Sequence, residues 1–172
     1  MSADNFTPSL AAMLVHEGGF VCNPNDPGGA TNQGVTQAVY DDWRSSKGLP
    51  QRSVREIGAA EVETIYRDLY WNRIRGDDLP SGVDYAVFDF AFNSGVGRAA
   101  RFLQQAVGAV PDGQIGPATL ALVEIKQADQ LIDALCDMRL NFLQALKTFQ
   151  YFGRGWTRRV AEVRAKAKDM AA

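Results

Sequence analysis

The chain of 172 residues has few of the residues that mark disulfide-rich or metal-binding proteins, with only two cysteines and one histidine. Cys22 and Cys136 lie far apart in sequence and show no metal-ligand spacing, which argues against a disulfide framework and against a zinc site. No apolar run approaches the ~18 residues of a membrane helix, and no basic segment followed by an apolar one begins the chain. We therefore expect synthesis in the cytoplasm without a signal peptide, and no stable insertion into a membrane.

The sequence also lacks an excess of charge of one sign, because 18 Lys and Arg residues face 20 Asp and Glu residues. The net charge of −2 gives no basic field, so we expect no nucleic-acid partner. Only the C-terminal end is basic, through Arg154, Arg158, Arg159, Arg164, Lys166 and Lys168. Such a run is usually a solvated helix face, and the alternative is that it adheres to an anionic surface.

Hydrophobic residues recur at helical spacing along most of the chain after residue 36, which predicts a mainly α protein. Glycines follow several of these segments, as they commonly do at helix C-termini. The last predicted helix, over about residues 155–168, is the basic one. We expect two parts, residues 1–94 and 95–172, packed as one compact unit, because no Pro- or Ser-rich linker separates them.

A first helix is predicted from about Pro8 to Glu17, since apolar residues such as Met13 recur there at helical spacing. The next residues, about 18–36, are rich in Asn, Pro and Gly, which favours turns over regular structure. We expect a long loop at this place, with a small hairpin near Val35.

Glu17 is the first candidate for a catalytic residue, because helical spacing places it one turn after Met13 on the apolar face of the helix. Apolar neighbours and the negative end of the helix dipole both disfavour the charged form of a carboxyl there. A carboxyl that stays protonated near neutral pH can act as a general acid. Gly18 and Gly19 would leave open space for a substrate. The alternative is an ordinary solvated Glu before a glycine helix stop.

A second carboxyl, Asp26, stands in the turn Asn25-Asp26-Pro27-Gly28. Two carboxyls in different environments can face one cleft, as they do in glycosidases. A residue that only forms the turn is equally compatible with this sequence.

Four stretches of the sequence carry a family resemblance: HEGGF at 16–20, NDPGGATNQGVT at 25–36, FDFAFNSGVGRAA at 88–100 and DGQIGPATL at 112–120. The first three resemble glycoside hydrolase family 108, lysozyme-like N-acetylmuramidases of phage endolysins and bacterial secretion-associated proteins. The fourth resembles the predicted peptidoglycan-binding region usually fused behind that catalytic part. The resemblance implies a lysozyme-like α-helical domain followed by a helical C-terminal lobe.

The family also implies a catalytic Glu in its Glu-Gly-Gly-aromatic motif, which falls on Glu17. In the wider pattern of phage-type lysozymes, an Asp or Cys and then a Thr follow this Glu at set spacings. Asp26 fits the second position, whereas the third falls on Asn32, and Thr31 is one residue short. The alternatives stay open: Thr31 or Asn32 holds water or sugar, and Asp26 is catalytic or only a structural turn.

Three further residues are candidates for substrate contact. Asn93 ends an apolar helix before a glycine, where its amide could bond an N-acetyl group, and a helix-capping Asn is equally compatible. Tyr85 could stack on a sugar ring, because pyranose faces pack on aromatic planes, and the same holds for Trp71.

The resemblance implies a peptidoglycan hydrolase that cleaves the β-1,4 bond between N-acetylmuramic acid and N-acetylglucosamine. Glu17 would be the general acid, and no metal or organic cofactor is needed. Two alternatives stay open: a lytic transglycosylase, and a non-catalytic module for wall binding or secretion. The expected partners are the glycan strands of periplasmic or cell-wall peptidoglycan, reached after release through a holin pore or an export machinery.

Overall fold

The computed structural model describes residues 4–25 and 29–172. In these residues the chain forms two compact units, Leu10–Asp68 and Met1–Ser9 together with Leu69–Ala172. We call them the inserted unit and the main unit. The boundary predicted at residue 94 is a different division, and it stays a prediction.

Eight α-helices and one small sheet make up the regular structure of the described residues, which confirms the mainly α prediction. The helices are α1 Phe6–Leu14, α2 Gln37–Ser46, α3 Ala59–Tyr66, α4 Val83–Ser94, α5 Val96–Val107, α6 Pro117–Glu124, α7 Ala128–Gln144 and α8 Phe149–Ala171. The strands are β1 Val21–Cys22, β2 Ala30–Asn32 and β3 Val35–Thr36, with 3₁₀ turns at Val54–Glu56 and Gly76–Asp78 and a π turn at Arg67–Trp71. The predicted basic helix is α8, which extends beyond its predicted limits at both ends. None of the helices in the described ranges has the length and apolar character needed to cross a membrane.

The first helix ends earlier than predicted, at Leu14 instead of Glu17. After it, the amides of His16 and Glu17 donate to the carbonyls of Met13 and Leu14, at 3.0 and 3.1 Å. These short-range bonds tighten the chain into a turn before the glycines. Glu17 therefore lies in the turn after α1, half-buried, and its predicted place on the apolar helix face is wrong.

The segment predicted as a loop contains a three-stranded antiparallel sheet in the order β1, β2, β3. Thr31 pairs with Val21 on one side and with Thr36 on the other. Gln33 and Gly34 connect β2 to β3 with φ angles of 50° and 78°, and a two-residue type I′ turn needs positive φ at both positions. The hairpin predicted near Val35 is confirmed.

The helices of the inserted unit form around buried aromatic residues. Thr36 caps α2, since its side-chain oxygen accepts a hydrogen bond from the Val39 amide at 3.2 Å. Tyr40 lies on the buried face of α2. Tyr66 is buried at the end of α3, and its hydroxyl donates to the Gln33 carbonyl at 2.7 Å. This bond ties α3 to the turn between β2 and β3.

The main unit is built around α4, in which every residue from Val83 to Ala91 is buried. A helix that is apolar nearly all round needs neighbours on every side, and α5, α7 and α8 pack against it. The ring of Phe6 packs against those of Trp71 and Phe88, with centroids 5.4 and 6.0 Å away. These aromatic contacts fix the start of α1 to the main unit.

Candidate functional site

Glu17 lies in the turn between α1 and β1, within the inserted unit. The next residue, Gly18, accepts a hydrogen bond at its carbonyl from the Gln33 amide at 3.2 Å. This bond holds the β2–β3 hairpin against the backbone beside Glu17. A Cβ built on Gly18 or Gly19 would meet no described atom within 4 Å, so the described residues leave the space at these glycines open.

Thr31 and Asn32 both lie on β2, in the hairpin that contacts the Glu17 turn. Thr31 is half-buried. Asn32 is buried, and its Nδ2 donates to the carbonyls of Val54 and Arg55 at 3.2 and 3.3 Å. Its amide therefore holds a 3₁₀ turn against the sheet, which favours Thr31 over Asn32 for a contact with water or sugar. Asp26 lies outside the described residues, and its role stays a prediction.

An arginine that sequence reasoning missed lies close to the same motif. The guanidinium of Arg55 lies 4.5 Å from the centroid of the Phe20 ring, a cation–π contact. Phe20 is the aromatic residue of the Glu-Gly-Gly-aromatic motif. Nothing local in the sequence marks Arg55, since only the fold brings the 3₁₀ turn to this ring.

The inserted unit holds a second carboxyl, Glu61 on α3, that the sequence did not single out. Its oxygens accept hydrogen bonds from Arg44 at 2.6 Å, Arg52 at 2.5 Å, Tyr40 at 2.8 Å and the Gly58 amide at 3.2 Å. Burial alone would raise the pKa of Glu61, but the hydrogen bonds from Tyr40 and Gly58 and the charges of Arg52 and Arg44 hold it below the usual range. A carboxylate that stays charged in this way has no proton to donate, so Glu61 suits a structural role better than acid catalysis.

Replacing Glu61 by Gln is expected to destabilise the protein by about 1–3 kcal/mol at neutral pH, because buried Arg44 loses its charged partner. The lowered pKa means that this contribution is present above the unfolded-state pKa of about 4.3 and is lost as the pH falls further. Urea unfolding at neutral and acidic pH measures both effects. Glu63→Gln, on the exposed side of α3, is the matched control, and equal midpoints for the two variants would contradict the structural role.

The candidates predicted for sugar stacking lie in the core of the main unit. Tyr85 and Trp71 are each 1% exposed, so neither ring presents a face to a ligand. Burial, followed by the charge of Asp89, raises the pKa of the Tyr85 hydroxyl, as expected of a core tyrosine. We therefore assign Tyr85 to packing instead of the sugar-binding role that the sequence suggested.

Asn93 is exposed near the end of α4, in the main unit. Its Nδ2 donates to the carbonyl of Asp89 at 2.8 Å, and the side chain lines a cavity of about 260 Å³. The structure thus places Glu17 and Thr31 in the inserted unit and Asn93 in the main unit.

A buried ion cluster in the main unit is the largest feature that sequence reasoning missed. Asp89 on α4 is fully buried and accepts from Arg139 at 2.6 Å and from Arg159 at 2.9 Å. Burial alone would raise the pKa of Asp89, but the two guanidinium charges and their hydrogen bonds hold it below the usual range. The sequence contains a signal for this cluster, because an Asp inside an apolar helical run needs a buried partner for its charge.

The basic C-terminal end is in part the solvated face that the sequence predicted, because Arg154, Arg158 and Lys166 are exposed. The other three basic residues pair with acidic residues of the main unit. Arg159 belongs to the buried cluster, with a side chain only 15% exposed. Arg164 pairs with Asp133 at 2.8 Å and also with a second acid of α7. Lys168 pairs with Asp133 at 2.6 Å and with Asp129 at 3.3 Å. These pairs weaken the alternative that this end binds an anionic surface.

Two models of known protein families match the chain. The family model described as glycosyl hydrolase 108 matches residues 10–95, half of the chain. The protein belongs to glycosyl hydrolase family 108. A second family model, described as a predicted peptidoglycan domain, matches residues 98–161 of this family 108 protein.

The family 108 protein is also similar to a solved structure, that of Brucella abortus SagA. The two chains are 44% identical, the match covers 97% of this chain and 95% of the other, and the TM-score is 0.84. No curated protein gives a significant match. The resemblance predicted from the motifs and the mainly α, lysozyme-like fold are confirmed. The peptidoglycan domain supports peptidoglycan as a partner of this glycosyl hydrolase family member.

Proposed function

We propose that this family 108 protein is an N-acetylmuramidase that hydrolyses the β-1,4 bond between N-acetylmuramic acid and N-acetylglucosamine. The observation that carries the proposal is the setting of Glu17, half-buried in a glycine-flanked turn held against the β2–β3 hairpin. A general acid must come within hydrogen-bond distance of a substrate oxygen. A carboxyl beside open space, on backbone that a sheet holds in place, meets this requirement. Membership of a glycosyl hydrolase family supports glycosidase chemistry, and the match to a peptidoglycan domain supports peptidoglycan as the substrate.

In this proposal Glu17 acts as the general acid. Its proton passes to the glycosidic oxygen as the bond to the sugar carbon breaks and positive charge develops on the ring. Asp26 would stabilise that charge, and the hydroxyl of Thr31 would orient the attacking water. The water bonds to the sugar carbon and gives one proton to the Glu17 carboxylate, which restores the acid. Acid–base catalysis and one water molecule thus account for all the bonds that change, so the proposed reaction needs no metal or organic cofactor.

The test is the chemistry of the released products from purified peptidoglycan, with Glu17→Gln as the reference for uncatalysed release. Hydrolysis leaves hydrated muramic acid ends, whereas a lytic transglycosylase closes the sugar into a 1,6-anhydro product one water lighter. Mass analysis of the muropeptides separates the two. Hydrated ends from the wild type alone would support the muramidase, anhydro ends would replace it with the transglycosylase, and no release would favour a non-catalytic wall-binding module.

A further inference from the structure

The cavity at the end of α4 combines an apolar wall with a cluster of cations. Its volume is about 260 Å³, and it lies in the main unit among residues of α4, α5, α7 and α8. Phe142, Leu146 and Trp156 line it together with three arginines, Arg98, Arg139 and Arg159. None of the described residues that line it is acidic.

The lining of this cavity carries positive charge only. Asp89 is fully buried and pairs with Arg139 and Arg159, and it is not among the residues of the lining. Arg98 is exposed at the cavity, so a ligand there meets a cation and no described carboxylate of the lining. Such a surface favours an anion, and planar guanidinium groups match a carboxylate best.

Arg139 forms a fixed part of the cavity wall. Its side chain is 5% exposed, and its Nη1 binds Asp89 at 2.6 Å. Because the buried cluster holds this guanidinium, Arg98 is the arginine of the lining that a ligand reaches most directly.

Arg98 is pre-positioned at the exposed side of the cavity. Its guanidinium lies 4.4 Å from the centroid of the Phe142 ring, and its Nη1 donates to the Ser94 carbonyl at 3.1 Å. Stacking on the ring and bonding to the helix end restrict the side chain before any ligand arrives. A cation already held in place loses less conformational freedom on binding.

The size and the chemistry of the cavity favour a short peptide over a sugar chain. About 260 Å³ is less than the ~300–1,000 Å³ of pockets that hold drug-sized ligands, so it suits one or two small amino acids better than a disaccharide. The stem peptides of peptidoglycan end in a free carboxylate beside a methyl group, which matches an arginine cluster next to Phe142, Leu146 and Trp156. The neutral N-acetylglucosamine units of the glycan offer no such charge.

We propose that this cavity binds the carboxylate end of a peptidoglycan stem peptide, with the carboxylate at the arginine cluster and the adjacent methyl group against the aromatic wall. The inference rests on the proposed function only in taking peptidoglycan as the partner. It assigns the main unit a peptide-binding role, separate from bond cleavage at Glu17.

The test uses the full-length chain carrying Glu17→Gln and three probes: N-acetyl-D-alanyl-D-alanine, its C-terminal amide, and chitotetraose. Titration is followed by the NMR signal of the Trp156 indole, identified by its loss in Trp156→Phe. We expect saturable shifts with the free acid and at least tenfold weaker binding of the amide. Arg98→Gln should weaken binding of the acid at least tenfold. Arg158→Gln removes the same charge from an exposed position on α8 and should bind normally.

Equal binding of acid and amide, or equal affinity of the Arg98→Gln and Arg158→Gln variants, would overturn the proposal. Shifts produced by chitotetraose alone would make the cavity a glycan site instead. Binding does not depend on turnover, so the two proposals fail separately. Binding of the acid by a protein that releases no muropeptides would leave this inference standing and remove the muramidase.

Discussion

Replacing Glu17 by Gln is expected to lower the rate of peptidoglycan hydrolysis by about 10²–10⁴-fold, the usual contribution of a general acid. Gln has nearly the same shape as Glu but has no acidic proton for the leaving oxygen. The fold should persist, because the Glu17 amide bonds to the Leu14 carbonyl and the Gly18 carbonyl bonds to the Gln33 amide, and neither bond uses the side chain. Turbidity loss of a peptidoglycan suspension measures the rate, and thermal unfolding of the same samples measures the fold.

The control for Glu17→Gln is Glu63→Gln, an identical change at an exposed position of the same unit. The control should retain the wild-type rate and the wild-type unfolding temperature. A rate for Glu17→Gln close to that of the control would remove Glu17 from the mechanism. If Glu17→Gln alone unfolds early, Glu17→Asp answers the question, since it keeps an acid and moves it by one methylene.

The helical architecture could be predicted because helical periodicity is a local property of the sequence. The end of the first helix could not, although Gly18 and Gly19 marked the region correctly. The helix stops at Leu14 and the chain tightens, and the Gly18 carbonyl then meets the Gln33 amide. That bond joins the segment to a hairpin that follows it in the chain, a tertiary contact that no helical pattern contains.

In the functional residues too, the sequence shows single residues but not the distant residues that contact them. Glu17 follows from its motif, and Asp89 is recognisable as a charge within an apolar run. Their partners are not local: Arg139 and Arg159 lie 50 and 70 residues after Asp89. Tyr85 was misplaced for a related reason, since sequence spacing shows one apolar face of α4, whereas packing in the fold buries all of its faces.

The second large effect is expected from Asp89→Asn, which should destabilise the protein by about 3–5 kcal/mol at neutral pH. The Asp89 side chain is fully buried, and those of Arg139 and Arg159 are 5% and 15% exposed. Asn keeps the size of the side chain but removes the charge, so both guanidinium groups lose the buried carboxylate that they share. The cost comes mainly from this uncompensated buried positive charge, because a buried ion pair itself gains little over an apolar replacement.

The pH dependence separates this charge effect from simple loss of packing. The pKa of Asp89 is lowered in the folded protein, so its contribution is present above the unfolded value of about 3.9 and declines as the pH falls. The gap in unfolding free energy between the wild type and Asp89→Asn should therefore narrow on acidification, whereas a packing defect would persist at every pH. Urea unfolding across this pH range measures the gap.

The control is Asp133→Asn. The Asp133 side chain is 37% exposed and pairs with Arg164 and Lys168, so its replacement should cost no more than about 1 kcal/mol. Equal losses for the two variants would mean that the buried cluster is no more important than a surface ion pair.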